Sequence, residues 1–398
     1  MKMIIFYFLL AVQAMINLII LKKGVIHLKK LFRIFIMSRF SDIILPAIII
    51  LLSLGLIMVY SASSSPFSNN ISGLTIFIKQ FKWVLIGFLF LFICSFMNHK
   101  KLRDFANLLY LVSIILALVA FATKNPNAST ARWLTLFGTN IFQTSEFIKL
   151  SLIIFTASFI AKNKRKIHDF DFMIKRFYPF LLLPLIVILL QPDLSTTLII
   201  GVIIFAMLFT AGIDKKQIKV LSGLLIASLI FKFLFMPGLS GKNNYQNIRL
   251  QSYLNGNAIQ QDNAVDSIID GGVFGVGLGD SMWKGDHVPE AQTDFIYSVV
   301  VSEIGLFGLL IVTICFFIIF TRGINVVKDS RDLFGMFLAM GITFNIFFYY
   351  LVHVGYNIGI LPTTGLPLPF VSYGGSHTLF NLSQVGLLLS ISNRINNE

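Results

Sequence analysis

Apolar residues fill this chain in long blocks, not at the two-residue spacing of a half-buried strand or the three-to-four spacing of an amphipathic helix. Blocks long enough to cross a bilayer core lie near residues 43 to 61, 77 to 97, 105 to 123, 145 to 161, 177 to 191, 194 to 211, 219 to 237, 294 to 320, 333 to 356 and 376 to 391. These ten blocks predict an all-α polytopic membrane protein of ten spanning helices, with the shorter blocks paired or kinked. A further block at residues 3 to 21 is followed by Lys22, Lys23, Lys29, Lys30, Arg33 and Arg39, with no small-residue cleavage site. Residues 1–39 are therefore read as an N-terminal extension, either an eleventh helix or a dispensable arm with Met37 as the working start. Residues 40–398 form the transmembrane domain.

The polar connections are uneven. LGLIMVYSASSS at 54–65 ends the first regular block with small and hydroxyl residues that let helices pack closely. QPDLSTTLII at 191–200 breaks the apolar pattern at Pro192, and Asp193 is placed to cap the helix that follows. Residues 238–293 are too long for a simple connection and hold Tyr245, Arg249, Gln251 and the string DGGVFGVGLGDSMW. Its glycines at 271, 272, 275, 277 and 279 suit sharp turns, close backbone approach, a phosphate cradle or plain flexibility. NIGILPTTGLPLPFVSYGGSHTLF alternates fixed prolines with free glycines, which predicts a stiff re-entrant connection surrounded by protein or a wet cavity.

Composition agrees with the blocks. Of 398 residues, 56% are hydrophobic and 13% charged, and the mean hydropathy is +0.82, outside the range of soluble globular domains. The net charge of +14 would suit nucleic acid, but the basic residues fall in alternate connections: NHKKLRD, KNKRKIHDFDFMIKR, DKKQIK and Arg322 to Arg331. By the positive-inside rule those connections are cytoplasmic, and the sparsely basic ones, including 238–293, lie outside. No nucleic-acid partner is expected. Cys94 and Cys315 sit inside apolar blocks and imply no disulfide framework.

Two stretches carry candidate chemistry. KGDHVPEAQTDFIYSVVVSEIGLFG at 284–308 brings Asp286, Glu290 and Asp294 to the mouth of an apolar block. A carboxylate there is costly and reads as functional by default, although Thr293 or Asp294 capping a helix is an equal alternative. In ARWLTLFGTNIFQTSEFIKL, Trp133 suits the headgroup level and Ser145 looks like a cap. Gln143, Glu146 and Lys149 fall at spacings of three and share one helix face. A structural Glu146–Lys149 salt bridge competes with a phosphate-binding role for Lys149. Asp193 is a second candidate carboxylate at the same membrane face.

The strings YSASSS, ARWLTLFG with QTSEFIKL, QPDLSTTL, GGVFGVGLG with VPEAQTDFIYSVVVSEIGLFG, and LPTTGLPLPFVSYGGS, in this order over about residues 40 to 392, resemble the SEDS family (shape, elongation, division and sporulation) that contains FtsW, RodA and SpoVE. LGLIMVYSASSS and LPTTGLPLP look more like its division member than its elongation member. The resemblance implies a ten-helix SEDS bundle with a large extracytoplasmic loop between helices seven and eight. It implies an inverting peptidoglycan glycosyltransferase that polymerises lipid II in septal cell-wall synthesis and releases undecaprenyl diphosphate. The implied place is the bacterial cytoplasmic membrane at the septum, and the implied partners are a class B penicillin-binding protein and other divisome proteins. Asp294 matches the family's catalytic aspartate. Lys149, Glu146, Arg132, Glu290, Gln143 and Arg249 form the substrate-binding set, with Asp286 and Trp133 matching further positions of the pattern. The sequence demands no cofactor, and a divalent cation, Mg or Mn, is a candidate for offsetting diphosphate charge. Departures from the pattern are Gln292 for a usual histidine, Thr144 for proline, Ile141 at a sometimes basic place, His353 for asparagine, and Asp266 and Asp270 in the segment before the glycines. The rival readings are a lipid II flippase or transporter, an elongation-type polymerase, and a scaffold that recruits the penicillin-binding protein.

Overall fold

The computed structural model describes residues 41–64, 72–123, 132–136, 139–191, 193–223, 226, 252–253, 258–284, 288 and 290–395. The extension 1–39, Arg249, Asp286 and most of the block 219–237 lie outside the described residues.

The membrane body begins with α1 (Ser41–Ser63), α2 (Gly73–Phe96) and α3 (His99–Ala122). Ser72 caps α2 by accepting from Thr75 N, and Asn98 caps α3 by accepting from Lys100 N, so each helix starts where a short polar side chain meets free amides. Next come a two-stranded ribbon, β1 (Trp133–Leu136) and β2 (Thr139–Gln143), and then α4 (Thr144–Asn163). The ribbon is antiparallel, pairs Trp133 with Gln143 and Leu134 with Phe142, and slips register between Leu134 and Thr135. It is the one sheet among the described residues, with an isolated bridge between Lys284 and Val288 as the other β pairing. Strands of four and five residues are too short for their hydrophobic pattern to distinguish them from an interfacial segment.

Helices α5 (Phe170–Arg176) and α6 (Tyr178–Leu190) meet at a 46° bend. Pro179 follows the bend, and its ring excludes a straight continuation through residue 175. α7 is Leu194–Ala211, α8 is Ile259–Gly271, α9 is Ile296–Ile304, α10 is Leu306–Asp329, α11 is Leu333–Asn357 and α12 is Gly375–Ile395. The block at 294–320 is thus two helices, broken at Gly305, where φ is 72°.

Seven described helices are long and apolar enough to span a bilayer, and α5 with α6 makes an eighth. The remaining two of the ten predicted spans are the block 219–237 and α12. α12 has the length but carries His377, Asn381, Gln384 and Asn393, all buried. A helix enclosed by neighbours needs no apolar surface toward lipid. α12 packs along α2 and touches α4 and α11. α4 is likewise interior, with 83% of its span buried against 22% for α2, which presents phenylalanines outward.

The connections segregate to two ends. At one end His99 Nε2 lies 3.8 Å from Asp332 Oδ2, Ser158 Oγ bonds Arg103 O at 3.1 Å, and Gln217 Nε2 bonds Ile167 O at 2.8 Å. These contacts gather all four basic connections. The opposite end holds the ribbon, the α6–α7 turn, α8, the Asp294 segment and residues 358–374.

Candidate functional site

Asp294 lies in a turn with both of its sides fastened. Glu290, at φ 60°, offers its carbonyl to Thr293 N and Asp294 N, each at 3.0 Å. Tyr373 N then bonds Gln292 O at 2.9 Å and Ser372 Oγ bonds Thr293 O at 2.7 Å, which ties the turn to the proline-rich connection. That connection is itself stiff: Ser372 Oγ accepts from Leu368 N at 2.8 Å, and Gly55 of α1 admits the Val371 backbone where a Cβ would stand 2.6 Å from its carbonyl.

The other fastening comes from the end of α11. Tyr356 Oη lies 2.7 Å from Asp294 O and 2.8 Å from Leu366 O, and His353 Nδ1 is 2.7 Å from Leu366 O. A phenol has one proton to give. Tyr356 Oη is also 2.9 Å from His353 Nδ1; with that nitrogen assigned as the donor to Leu366 O it cannot accept, and the Asp294 carbonyl is the nearest acceptor for the Tyr356 proton. Asn357 Nδ2 adds a bond to the same carbonyl at 3.3 Å.

The helix that follows does not use Asp294 as its cap. Phe295 is the N-cap residue of α9 and gives no side-chain bond, and Ser298 N bonds instead to Asn357 Oδ1 at 3.3 Å. A neighbouring helix therefore satisfies the free amide, and the capping alternative for Thr293 and Asp294 is overturned. The Asp294 side chain is half-buried at the end of the bundle. Its backbone is held from both sides, by α11 and by the proline-rich connection.

A second polar centre lies deeper. Lys149 Nζ is 2.8 Å from Glu146 Oε2 and 3.9 Å from the Tyr349 ring centroid, and the lysine is 0% exposed. His377 Nδ1 is 3.4 Å from Glu146 Oε1, and its ring lies against Tyr349. In this state Lys149 is closed off by a carboxylate and an aromatic face. Ser145 is buried within the first turn of α4, whose N-cap residue is Gln143, so Ser145 is not the expected cap. Gln143 N bonds Ser376 Oγ at 3.0 Å, and the Gln143 side chain is partly exposed.

Arg132 lies above this centre with its side chain 25% exposed. Its Nε bonds Gln191 O at 3.1 Å and is 3.9 Å from Asp193 Oδ2, while Asp193 caps α7 through Thr196 N. Thr144 N and Oγ1 return bonds to Arg132 O. The base of the ribbon is thereby sewn to α4 and to the α6–α7 turn. Trp133 is exposed on β1, as an interfacial anchor would be. Glu290 is exposed, with Oε2 facing Thr293 and Gln292.

Tyr349, His353 and Tyr356 lie on one face of α11 and connect the two centres. The eight helical steps from Tyr349 to Asn357 rise about 12 Å, so the Lys149 level and the Asp294 level are separate positions and not one ion pair. Among the described residues no three His, Cys, Asp or Glu side chains converge as metal ligands.

A third cluster was not anticipated. Glu303 of α9 is buried with Lys284 Nζ 2.5 Å from Oε1, Ser61 Oγ 2.6 Å from Oε1, and Gly279 N 3.0 Å from Oε2. An ionisable residue inside an apolar block always needs a partner, and the only lysine in 258–284 supplies it. The glycine string is explained by the same place. Val276 N bonds Ser302 O, Gly277 N bonds Glu303 O and Leu306 N bonds Val273 O, so the string docks backbone to backbone on the broken α9–α10 helix. It is neither a phosphate cradle nor loose.

The family model for FtsW, RodA and SpoVE, described as cell cycle protein, matches residues 42–397. A protein of Geobacter metallireducens named "Probable peptidoglycan glycosyltransferase FtsW" is 32% identical over 90% of this chain and 96% of its own. Stage V sporulation protein E of Bacillus subtilis is 33% identical over 86% of this chain and 94% of its own. A chain solved under the heading "Structural coordination of polymerization and crosslinking by a peptidoglycan synthase complex" superposes with a TM-score of 0.73 at 22% identity, covering 89% of this chain and 98% of that one.

Proposed function

The chain belongs to the FtsW, RodA and SpoVE family of cell-cycle proteins, and from that premise we propose that it is a multi-pass peptidoglycan glycosyltransferase with Asp294 as its catalytic base. The observation that carries the assignment is the fastened Asp294 peptide: two α11 side chains hold its carbonyl while Asn357 takes over capping of α9.

The substrate is lipid II, met at the outer surface of the bacterial cytoplasmic membrane. A sugar hydroxyl of one lipid-linked disaccharide attacks the anomeric carbon of the growing strand. The bond to the diphosphate breaks, undecaprenyl diphosphate leaves, and one displacement inverts the anomeric centre. Asp294 accepts the hydroxyl proton, a contribution of about 10²- to 10⁴-fold. Arg132, partly exposed, is the cation placed to meet the leaving diphosphate. Lys149 reaches that charge only when its pair with Glu146 opens. Glu290 and Gln143 border the approach. A Mg or Mn ion, if bound, would supply positive charge against the leaving diphosphate, a role that asks for only one or two protein carboxylates such as Asp294 and Glu290. A class B penicillin-binding protein and divisome proteins at the septum are the proposed partners. The similarity to relatives named FtsW agrees with the strings nearest the division member in supporting the septal role.

Asp294→Asn keeps the size of the side chain and removes the base. Purified variant given lipid II in proteoliposomes should form polymer at least about 10²-fold more slowly, with an unchanged thermal midpoint. A rate near wild type would overturn the assignment. Wild-type protein that moves lipid II across the bilayer and makes no polymer would favour the transporter.

A further inference from the structure

The α8–α9 segment meets the bilayer at a height that the spanning helices leave open. In α10 the uncharged stretch from Leu306 to Thr321, before Arg322, has 16 residues, a rise of about 24 Å. The hydrocarbon core is about 30 Å thick, so about 6 Å at one edge is not covered by this helix. Below that edge its outward side chains are apolar and exposed: Phe307, Leu310, Ile314 and Phe317. Above it the chain breaks at Gly305, and α9 turns inward with Ile296 to Glu303 all buried.

The turn that follows α8 fills the column above Phe307. Phe274 is 83% exposed and Val273 53%, and the Phe274 ring centroid is 6.5 Å from that of Phe307. Backbone groups entering hydrocarbon must be satisfied by protein. Here Leu306 N bonds Val273 O at 3.1 Å, Gly275 N bonds Gly271 O at 2.8 Å, and Val276 N bonds Ser302 O at 2.9 Å. Carboxylates flank the apolar tip, and one of them, Asp270, bonds the Trp283 indole at 2.6 Å. An apolar tip carried on a backbone docked to α9 and α10, with an indole at the rim, is the arrangement of an interfacial insertion. Facing water, the same tip would be an exposed apolar patch continuous with the lipid face of α10.

The geometry points to the Val273–Phe274 turn as a membrane contact, seated among the acyl chains of the leaflet on the Asp294 side and extending the lipid face of α10. This holds whatever reaction Asp294 performs.

Full-length protein carrying C94A and C315A, with a nitroxide attached at Phe274→Cys, tests it in vesicles of phosphatidylcholine and phosphatidylglycerol. Power saturation should show collision with oxygen exceeding collision with a nickel chelate, as at Phe307→Cys and opposite to Asp280→Cys. Unmutated protein reconstituted with a diazirine-bearing acyl lipid should yield adducts on the peptide spanning 271–277 as well as on α10. A nickel-accessible label at 274, or adducts on α10 without any on 271–277, would overturn the contact and leave the patch to a protein partner.

Discussion

Charge buried at single residues sets the most direct test of the interior. Glu303 is buried against Lys284, Ser61 and the Gly279 amide. Lys284→Met leaves that carboxylate without its cation, at a cost of about 3–5 kcal/mol. Lys284→Met/Glu303→Gln removes both charges while keeping acceptors for Ser61 and Gly279, so it should unfold closer to wild type than Lys284→Met alone. Thermal midpoints in detergent at one scan rate measure the order, and a double variant weaker than the single would refute the pairing. Asp294 and Glu303 also show what is legible at this scale. Asp294 opens an apolar block after a polar loop, so its cost and its position are both visible in the letters. Glu303 is hidden mid-block, and its partner comes from a loop nineteen positions away, a pairing that only the folded backbone creates. His377 escaped for the same reason: nothing near SYGGSHTLF reveals that Glu146 faces it.

Elements were legible where pattern alone builds them, as in α1, α2, α3, α7 and α11. They were not where tertiary contact decides. Glycine at 305 is tolerable within a helix, and 294–320 reads as one apolar block, yet the chain breaks there because the glycine string takes the backbone bonds. The break is therefore a property of two segments together. Gly275 and Gly305 have φ of 77° and 72°, and a Cβ on Gly275 would collide with the Glu303 carbonyl. Gly272 also has positive φ, 52°, but nothing stands within 4 Å of its added Cβ. Gly272→Ala should cost only backbone strain, about 1–3 kcal/mol, while Gly275→Ala adds a clash that must undock the string. Limited proteolysis between 258 and 284 reads the difference: rapid nicking for Gly275→Ala and near-native resistance for Gly272→Ala. Equal resistance in the two variants would mean that the docking does not hold the segment.

For the whole molecule, lysine and arginine placement was enough to sort the connections, because charge bias toward one membrane face requires no contact to be known. The structure gathers those connections at one end and the Asp294 segment, the ribbon and the proline-rich connection at the other. The order of helices inside the bundle was partly legible as well. α4 and α12 carry Glu, Lys, His, Asn and Gln, which lipid would not tolerate, and both are interior. The charge bias predicts that the Asp294 end faces outward, which the proposed reaction requires. In a C94A/C315A background on intact cells, Glu290→Cys should react with a membrane-impermeant maleimide, and Lys164→Cys, exposed at the basic end, should react only after permeabilisation. The opposite pattern would put Asp294 in the cytosol, away from the growing strand. Asp294 would then have to be assigned to a different chemistry, even though its fastening to Tyr356 and Asn357 would be unchanged.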